Sequence, residues 1–105
     1  MDMDILYKLT RGYAIKYPNG NDPFKITTRL LEETGELAKE VNHHEHTGVK
    51  IEKYGPPNRK AMAKEMHDVI RTVLTLTIYY NLEDELEESI LSTFMRFKED
   101  GFIED

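Results

Sequence analysis

At 105 residues the chain suits a single domain, and one this short buries only about two-thirds of its unfolded surface, so partner subunits would add to its stability. It has no cysteine, which excludes disulfide frameworks and thiolate metal sites and fits a reducing cytoplasm. The net charge of −6 opposes binding to nucleic-acid polymers, which draws on a basic surface, and no stretch approaches the roughly 20 apolar residues of a membrane span.

The opening "MDMDILYKLT" is acidic and its apolar residues are interrupted by charge, so no secretory leader is expected. Ile5, Leu9 and Tyr13 recur every four residues with Leu6 beside them, predicting a first helix over about 2–16. "YPNGNDP" at 17–23 reads as a turn. Asp22 follows as an N-cap with Pro23 at the first helical position of a second helix, about 23–44. On a helical wheel Ile26, Leu30, Leu37, Val41, Ala38, Leu31 and Phe24 share one arc, which predicts core packing for Phe24. Lys25, Arg29 and Glu40 lie away from that arc. Gly35, unfavourable by roughly 1 kcal/mol against alanine, marks either a close approach or mere tolerance.

"HHEH" at 43–46 gives Glu40-x-x-His43, but a di-iron bundle site needs a second E-x-x-H on another helix and none exists. Histidines at the negative end of a helix dipole account for His43 and His46 better. A polar linker, about 45–58, follows, with "GVKIEKY" as a candidate extended piece and a double proline at its end. Asn58 caps a third helix over about 59–80, whose apolar arc holds Met62, Met66, Val69, Ile70, Val73, Leu74 and Leu76, the methionines as core or subunit interface. A fourth helix, about 83–98, carries Leu82, Leu86, Ile90 and Phe94 and starts with "EDELEE", suited to a helix N-terminus. Four amphipathic helices without a period-two strand predict an all-α four-helix bundle occupying 1–105 as one domain.

Chemistry concentrates in two acidic stretches. In "LLEETGELAKE" at 30–40, Glu32, Glu36 and Glu33 fall at about 0°, 40° and 100° on the wheel, within one third of the circumference. Such a set is either a solvated face laced with i, i+4 ion pairs or a set of oxygen ligands for a hard divalent cation. Periodicity alone favours the solvated face. The second stretch shifts the balance: Glu65 and Asp68 stand three apart in "AKEMHDVIRTVL", Glu65 at the edge of the apolar arc between Met62 and Val69. A carboxylate at the border of a core needs a partner, and a metal shared with the second helix supplies one.

A helix carrying E-E-x-x-E followed by one carrying E-x-x-D resembles the MazG-type nucleotide pyrophosphohydrolases of the all-α NTP pyrophosphatase superfamily. The matching stretches are "LLEETGELAKEV" and "KEMHDVIRTVLTL", with 28 residues between Glu36 and Glu65, and the likeness spans about residues 20–97. The resemblance implies a Mg²⁺-dependent hydrolase, with Mn²⁺ as a substitute, that cleaves a nucleoside triphosphate to the monophosphate and pyrophosphate in nucleotide-pool house-cleaning. It implies Glu32, Glu33, Glu36, Glu65 and Asp68 as metal ligands, with Glu33 or Glu36 positioning or deprotonating the attacking water. It also implies a homodimer or homotetramer.

Lys25, Arg29, Arg96 and Lys98 are candidates to touch phosphate, as is Arg71, although each is readily a surface charge. Tyr13 and Tyr17 offer rings for stacking on a base. Two features depart from the family pattern: His67 stands inside the second motif where a small residue is usual, and only Arg96 and Lys98 represent the basic residues expected near the end. They motivate the alternative expectation, a catalytically weak nucleotide-binding or regulatory helical oligomer. A plain structural oligomer with solvent-facing acids is the third.

Overall fold

Three short polar side chains start the helices where the sequence places them. Asp2, Asp22 and Asn58 each accept hydrogen bonds from free N–H groups of the following turn, donors that otherwise have no partner. They open α1 (Met3–Lys16), α2 (Pro23–His44) and α3 (Arg59–Tyr79), while α4 (Glu83–Glu99) has no side-chain cap and instead places Glu83, Asp84 and Glu85 in its first turn. Asn58 accepts from Lys60 N–H at 2.9 Å and Ala61 N–H at 3.3 Å. Asn58→Ala is expected to lower stability by about 1 kcal/mol, read as a fall in Tm of roughly 4–8 °C by calorimetry.

The structure, a computed structural model, describes residues 2–45 and 55–104. The extended piece expected over 48–54, and His46, lie outside the described residues. Within them the fold is all-α, with no strand, and no helix is long and apolar enough to cross a membrane.

The turn between α3 and α4 follows from one residue. Asn81 adopts φ 55°, a left-handed conformation that asparagine tolerates. Its N–H reaches Ile78 O at 3.1 Å and the Leu82 N–H reaches Thr77 O at 2.9 Å, closing the end of α3 as a Schellman motif. Gly101 repeats the device after α4, with Phe97 and Phe102 rings 5.8 Å apart across it.

α2 packs along α3, α1 packs on the same helix, and α4 meets α3 only sparsely. An ion pair of 3.0 Å between Arg11 and Glu83 ties the start of α4 to α1. No residue of α4 is buried, and the radius of gyration is 16.9 Å against about 13 Å for a compact domain of this length. Three helices pack together and the fourth stands largely apart.

The faces that pack overlap the helical-wheel arcs only in part: Ile26, Leu30, Leu37 and Leu74 turn inward as expected, and other members do not. Phe24 is 83% exposed and Leu31 70%, so the core packing expected of Phe24 does not occur. α2 is turned so that Ile26 and Glu40 are buried and Arg29, Leu30, Glu33 and Leu37 half-buried. On α3 the buried positions are Asp68, Thr72, Leu74, Thr75 and Thr77, whereas Met66, Ile70 and Val73 face outward. The threonines are buried at little cost because each hydroxyl donates to the carbonyl four residues back, at 2.7 Å for Thr72, 2.9 Å for Thr75 and 3.0 Å for Thr77. Only Tyr7, Ile26 and Leu74 are buried hydrophobics among the described residues. Among the described residues the inside of the fold is largely polar and much of the outside is apolar.

Candidate functional site

Turning α2 about its axis brings Glu33, rather than Glu32 or Glu36, to face α3. There it meets Glu65 and Asp68: one carboxylate oxygen of each lies within 4.8 Å of the others. Glu33 and Glu65 are half-buried and Asp68 is buried. Glu32 is exposed. Glu36 is exposed too, with its carboxylate 3.7 Å from Lys39. Of the five carboxylates expected to converge, three do so, and Glu32 and Glu36 stand outside that cluster on the solvent side of α2.

Three acids this close repel one another, and the structure records how that is met. Lys64 Nζ donates to Asp68 Oδ2 at 2.7 Å, and Arg71 Nη2 stands 3.7 Å from Asp68 Oδ1. The hydrogen bond to Asp68 holds the Lys64 ammonium above its ordinary pKa. Glu33 has no ion pair of its own among the described residues, and Arg71 and Lys64 offset its surroundings only in part. Burial first, then the charges of Asp68 and Glu65, push its carboxyl above the ordinary value of 4.5.

That shift has a sign. A carboxyl raised in the fold binds its proton more tightly there than in the unfolded chain, so the contribution it makes is present below about pH 4.5 and lost as pH rises through the raised value. Glu33→Gln is therefore expected to raise the Tm of the protein in EDTA at pH 7, with the gain vanishing below about pH 4.5, where the wild-type carboxyl is neutral in both states. Melts at the two pH values check it, and a lower Tm for the variant at pH 7 contradicts it.

The donor set fits a hard cation. All three groups offer oxygen, the donor that a hard divalent cation such as Mg²⁺ prefers, and with their oxygens within 4.8 Å of one another Glu33, Glu65 and Asp68 are the residues that would hold it. Soft metals gain nothing from such ligands.

A cavity of about 350 Å³ is lined by Tyr13, Tyr17, Asn19, Asn21, Arg29 and Arg71 among others, none of them one of the three acids. Arg71 joins the two regions: its guanidinium sits 3.9 Å from the centroid of Tyr13 while also facing Asp68, and its Nε is buried without a hydrogen-bond partner among the described residues. Arg29 is half-buried and donates from Nη2 to Gly20 O at 2.7 Å, bracing the α1–α2 turn. Gly20 takes φ 88° there, the left-handed region that favours glycine.

The other candidates sit elsewhere. Lys25 is exposed and pairs with the cap residue Asp22 at 3.7 Å. Arg96 and Lys98 lie in the last turn of α4 and do not line the cavity. His67 is half-buried with Nε2 unpartnered. His43 is buried: its Nε2–H donates to Gly55 O at 2.6 Å, and its Nδ1 lies 4.0 Å from Glu40. It holds the start of the α3 approach against α2.

Sequence reading underrated Arg71 and passed over Asn19 and Asn21. For Arg71 a signal existed, a cation three residues after Asp68 in an otherwise apolar "VIRTVLTL". Asn19 and Asn21 are ordinary turn residues by composition and gave none. Compared with known proteins, the chain matches no family model, no curated protein and no solved structure.

Proposed function

We propose that this protein is a Mg²⁺-dependent nucleoside triphosphate pyrophosphohydrolase that releases the monophosphate and pyrophosphate, acting in the cytoplasm on the nucleotide pool as a homodimer or homotetramer. One observation carries the reading: Glu33 from α2 meets Glu65 and Asp68 from α3, and Arg71, 3.7 Å from Asp68, also lines a cavity of arginine, tyrosine and asparagine. Neither half suffices alone. Acidic clusters on helices are common, and so are surface cavities. A cation site joined through Arg71 to a cationic and aromatic cavity matches the two ends of a nucleotide.

In this reading Glu33, Glu65 and Asp68 hold the ion. Bound there, Mg²⁺ offsets triphosphate charge and acidifies adjacent water. Arg71 and Arg29 draw phosphate oxygens toward the acids, and their fixed positions keep the scissile phosphorus oriented for in-line attack. Glu36, one turn along α2 from Glu33 and open to solvent, accepts the proton that the attacking water gives up. An overall acidic protein thus acts on an anion through locally placed cations. The test is pyrophosphate release from a panel of NTPs and dNTPs with Mg²⁺, with Mn²⁺ and with EDTA. Release with either metal and none with EDTA is the expected result; no release from any nucleotide removes the reading.

A second reading has an observation of its own. Asp68 is already paired with Lys64 and Arg71, as expected of a nucleotide-binding or regulatory oligomer without useful turnover. Calorimetric nucleotide binding with no product formed favours it over the enzyme.

A further inference from the structure

The cavity beside Arg71 presents two kinds of chemistry. Arg71 and Arg29 bring guanidinium groups, and Arg71 reaches Asp68 from there. Tyr13 and Tyr17 bring ring faces, their centroids 6.1 Å apart and their planes 31° from parallel. Asn19 and Asn21 bring side-chain amides. Cations suit phosphate, and rings with amides suit a nucleobase.

Asn21 is the group that can discriminate, because its orientation is fixed. Its Nδ2 donates to Tyr17 O at 3.3 Å and to Pro18 O at 3.1 Å. Both partners are carbonyls, which only accept, so the nitrogen must point at them and cannot exchange places with Oδ1. The amide nitrogen is thereby engaged with the turn. What Asn21 has left for a ligand is an acceptor. A turning amide could serve a keto or an amino base equally well; one locked this way welcomes an N–H and repels a carbonyl.

We propose that the cavity binds the nucleoside end of the substrate and that Asn21 Oδ1 selects bases with an exocyclic amino group in place of a keto group, cytosine over uracil and adenine over hypoxanthine. The N4 amine of cytosine or the N6 amine of adenine donates to Oδ1; in that same pose O4 of uracil or O6 of hypoxanthine sets two acceptors against each other, and reaching Oδ1 with the neighbouring ring N–H requires the base to shift out of the stack. Tyr17 and the Arg71–Tyr13 pair supply stacking that any base uses, so they give affinity without choice. The inference rests on the nucleotide reading above and adds the base class.

The experiment compares isosteric pairs. Calorimetric titration of the full chain in EDTA with CMP, UMP, AMP and IMP is expected to show CMP tighter than UMP, and AMP tighter than IMP, by about tenfold. Asn21→Ala, checked for native helicity by circular dichroism, brings each pair to near equality. Where monophosphates bind too weakly to titrate, kcat/KM for CTP over UTP and for ATP over ITP decides in the same way. Equal values within both pairs, or a preference for the keto base, overturn the base selection and leave the hydrolase standing. No binding and no turnover with any nucleotide overturn both.

Discussion

Glu65→Gln is expected to reduce Mg²⁺-dependent pyrophosphate release by about a hundredfold or more, the scale on which one fixed electrostatic group contributes to such a transition state. The substitution keeps the volume of a half-buried side chain and removes only its charge. It also leaves every recorded ion pair intact, since Lys64 and Arg71 pair with Asp68 rather than with Glu65. Asp68→Asn is the poorer test because it strips the partner from two cations and so confounds folding with function. Glu36→Gln is expected to be slow for a different reason, the loss of a proton acceptor rather than of a ligand. The two separate in a Mn²⁺ titration: Glu65→Gln loses metal affinity and Glu36→Gln keeps it. Glu32→Gln, on the solvent side of α2, is expected to stay within about twofold of wild type, as surface substitutions do. Unchanged turnover in both Glu65→Gln and Glu36→Gln removes the mechanism, and a wild-type protein that binds no Mn²⁺ leaves a structural oligomer.

The helix ends were legible in the sequence because each is set locally. Asp22 before Pro23, Asn58 before the third apolar run and the acid-rich start at Glu83 act through the nearest turn of backbone, and the helices begin where those residues sit. Which side of each helix turns inward was legible only in part: Ile26, Leu30, Leu37 and Leu74 do, others on the same arcs do not. Hydrophobic periodicity identifies an apolar stripe, yet it is silent on whether that stripe meets the same chain or another one. Phe24 and Leu31 lie on the strongest stripe of α2 and are exposed, while Glu33 and Glu40 on the other side are inside. The acid trio was half legible. The i, i+3 spacing of Glu65 and Asp68 places them together on one helix, but choosing Glu33 over Glu32 and Glu36 depends on the rotation of α2, a tertiary quantity. Arg71 needed Tyr13, a residue of another helix, before its place had meaning.

Sedimentation of this protein is expected to give a mass of about 24.6 kDa, twice the 12.3 kDa chain, or a further doubling of that. Size scaling gives a compact monomer of this mass a surface of about 6,100 Å², and the protomer exposes 7979 Å². The difference exceeds the roughly 800 Å² that each partner of a standard interface contributes. Part of it is apolar and lies on neighbouring helices: Ile90, Leu91, Phe94, Met95 and Phe97 on α4, with Met66, Ile70 and Val73 on α3, are all at least 40% exposed. We propose a second copy of the chain as the occupant, because α4 runs from five acids between Glu83 and Glu88 to Arg96 and Lys98. An antiparallel twofold pairing sets the acidic start of one α4 near the basic end of the other. Leu91→Asp with Phe94→Asp places unpaired charge in that contact and is expected to yield a 12.3 kDa species that keeps its helical circular dichroism but melts lower. The wild-type Tm should rise with protein concentration, as it does when association stabilises the fold, and the double variant should lose that dependence. A wild-type protein that sediments as a monomer at its highest soluble concentration, with a Tm independent of concentration, would show that the polar interior holds the chain together unaided.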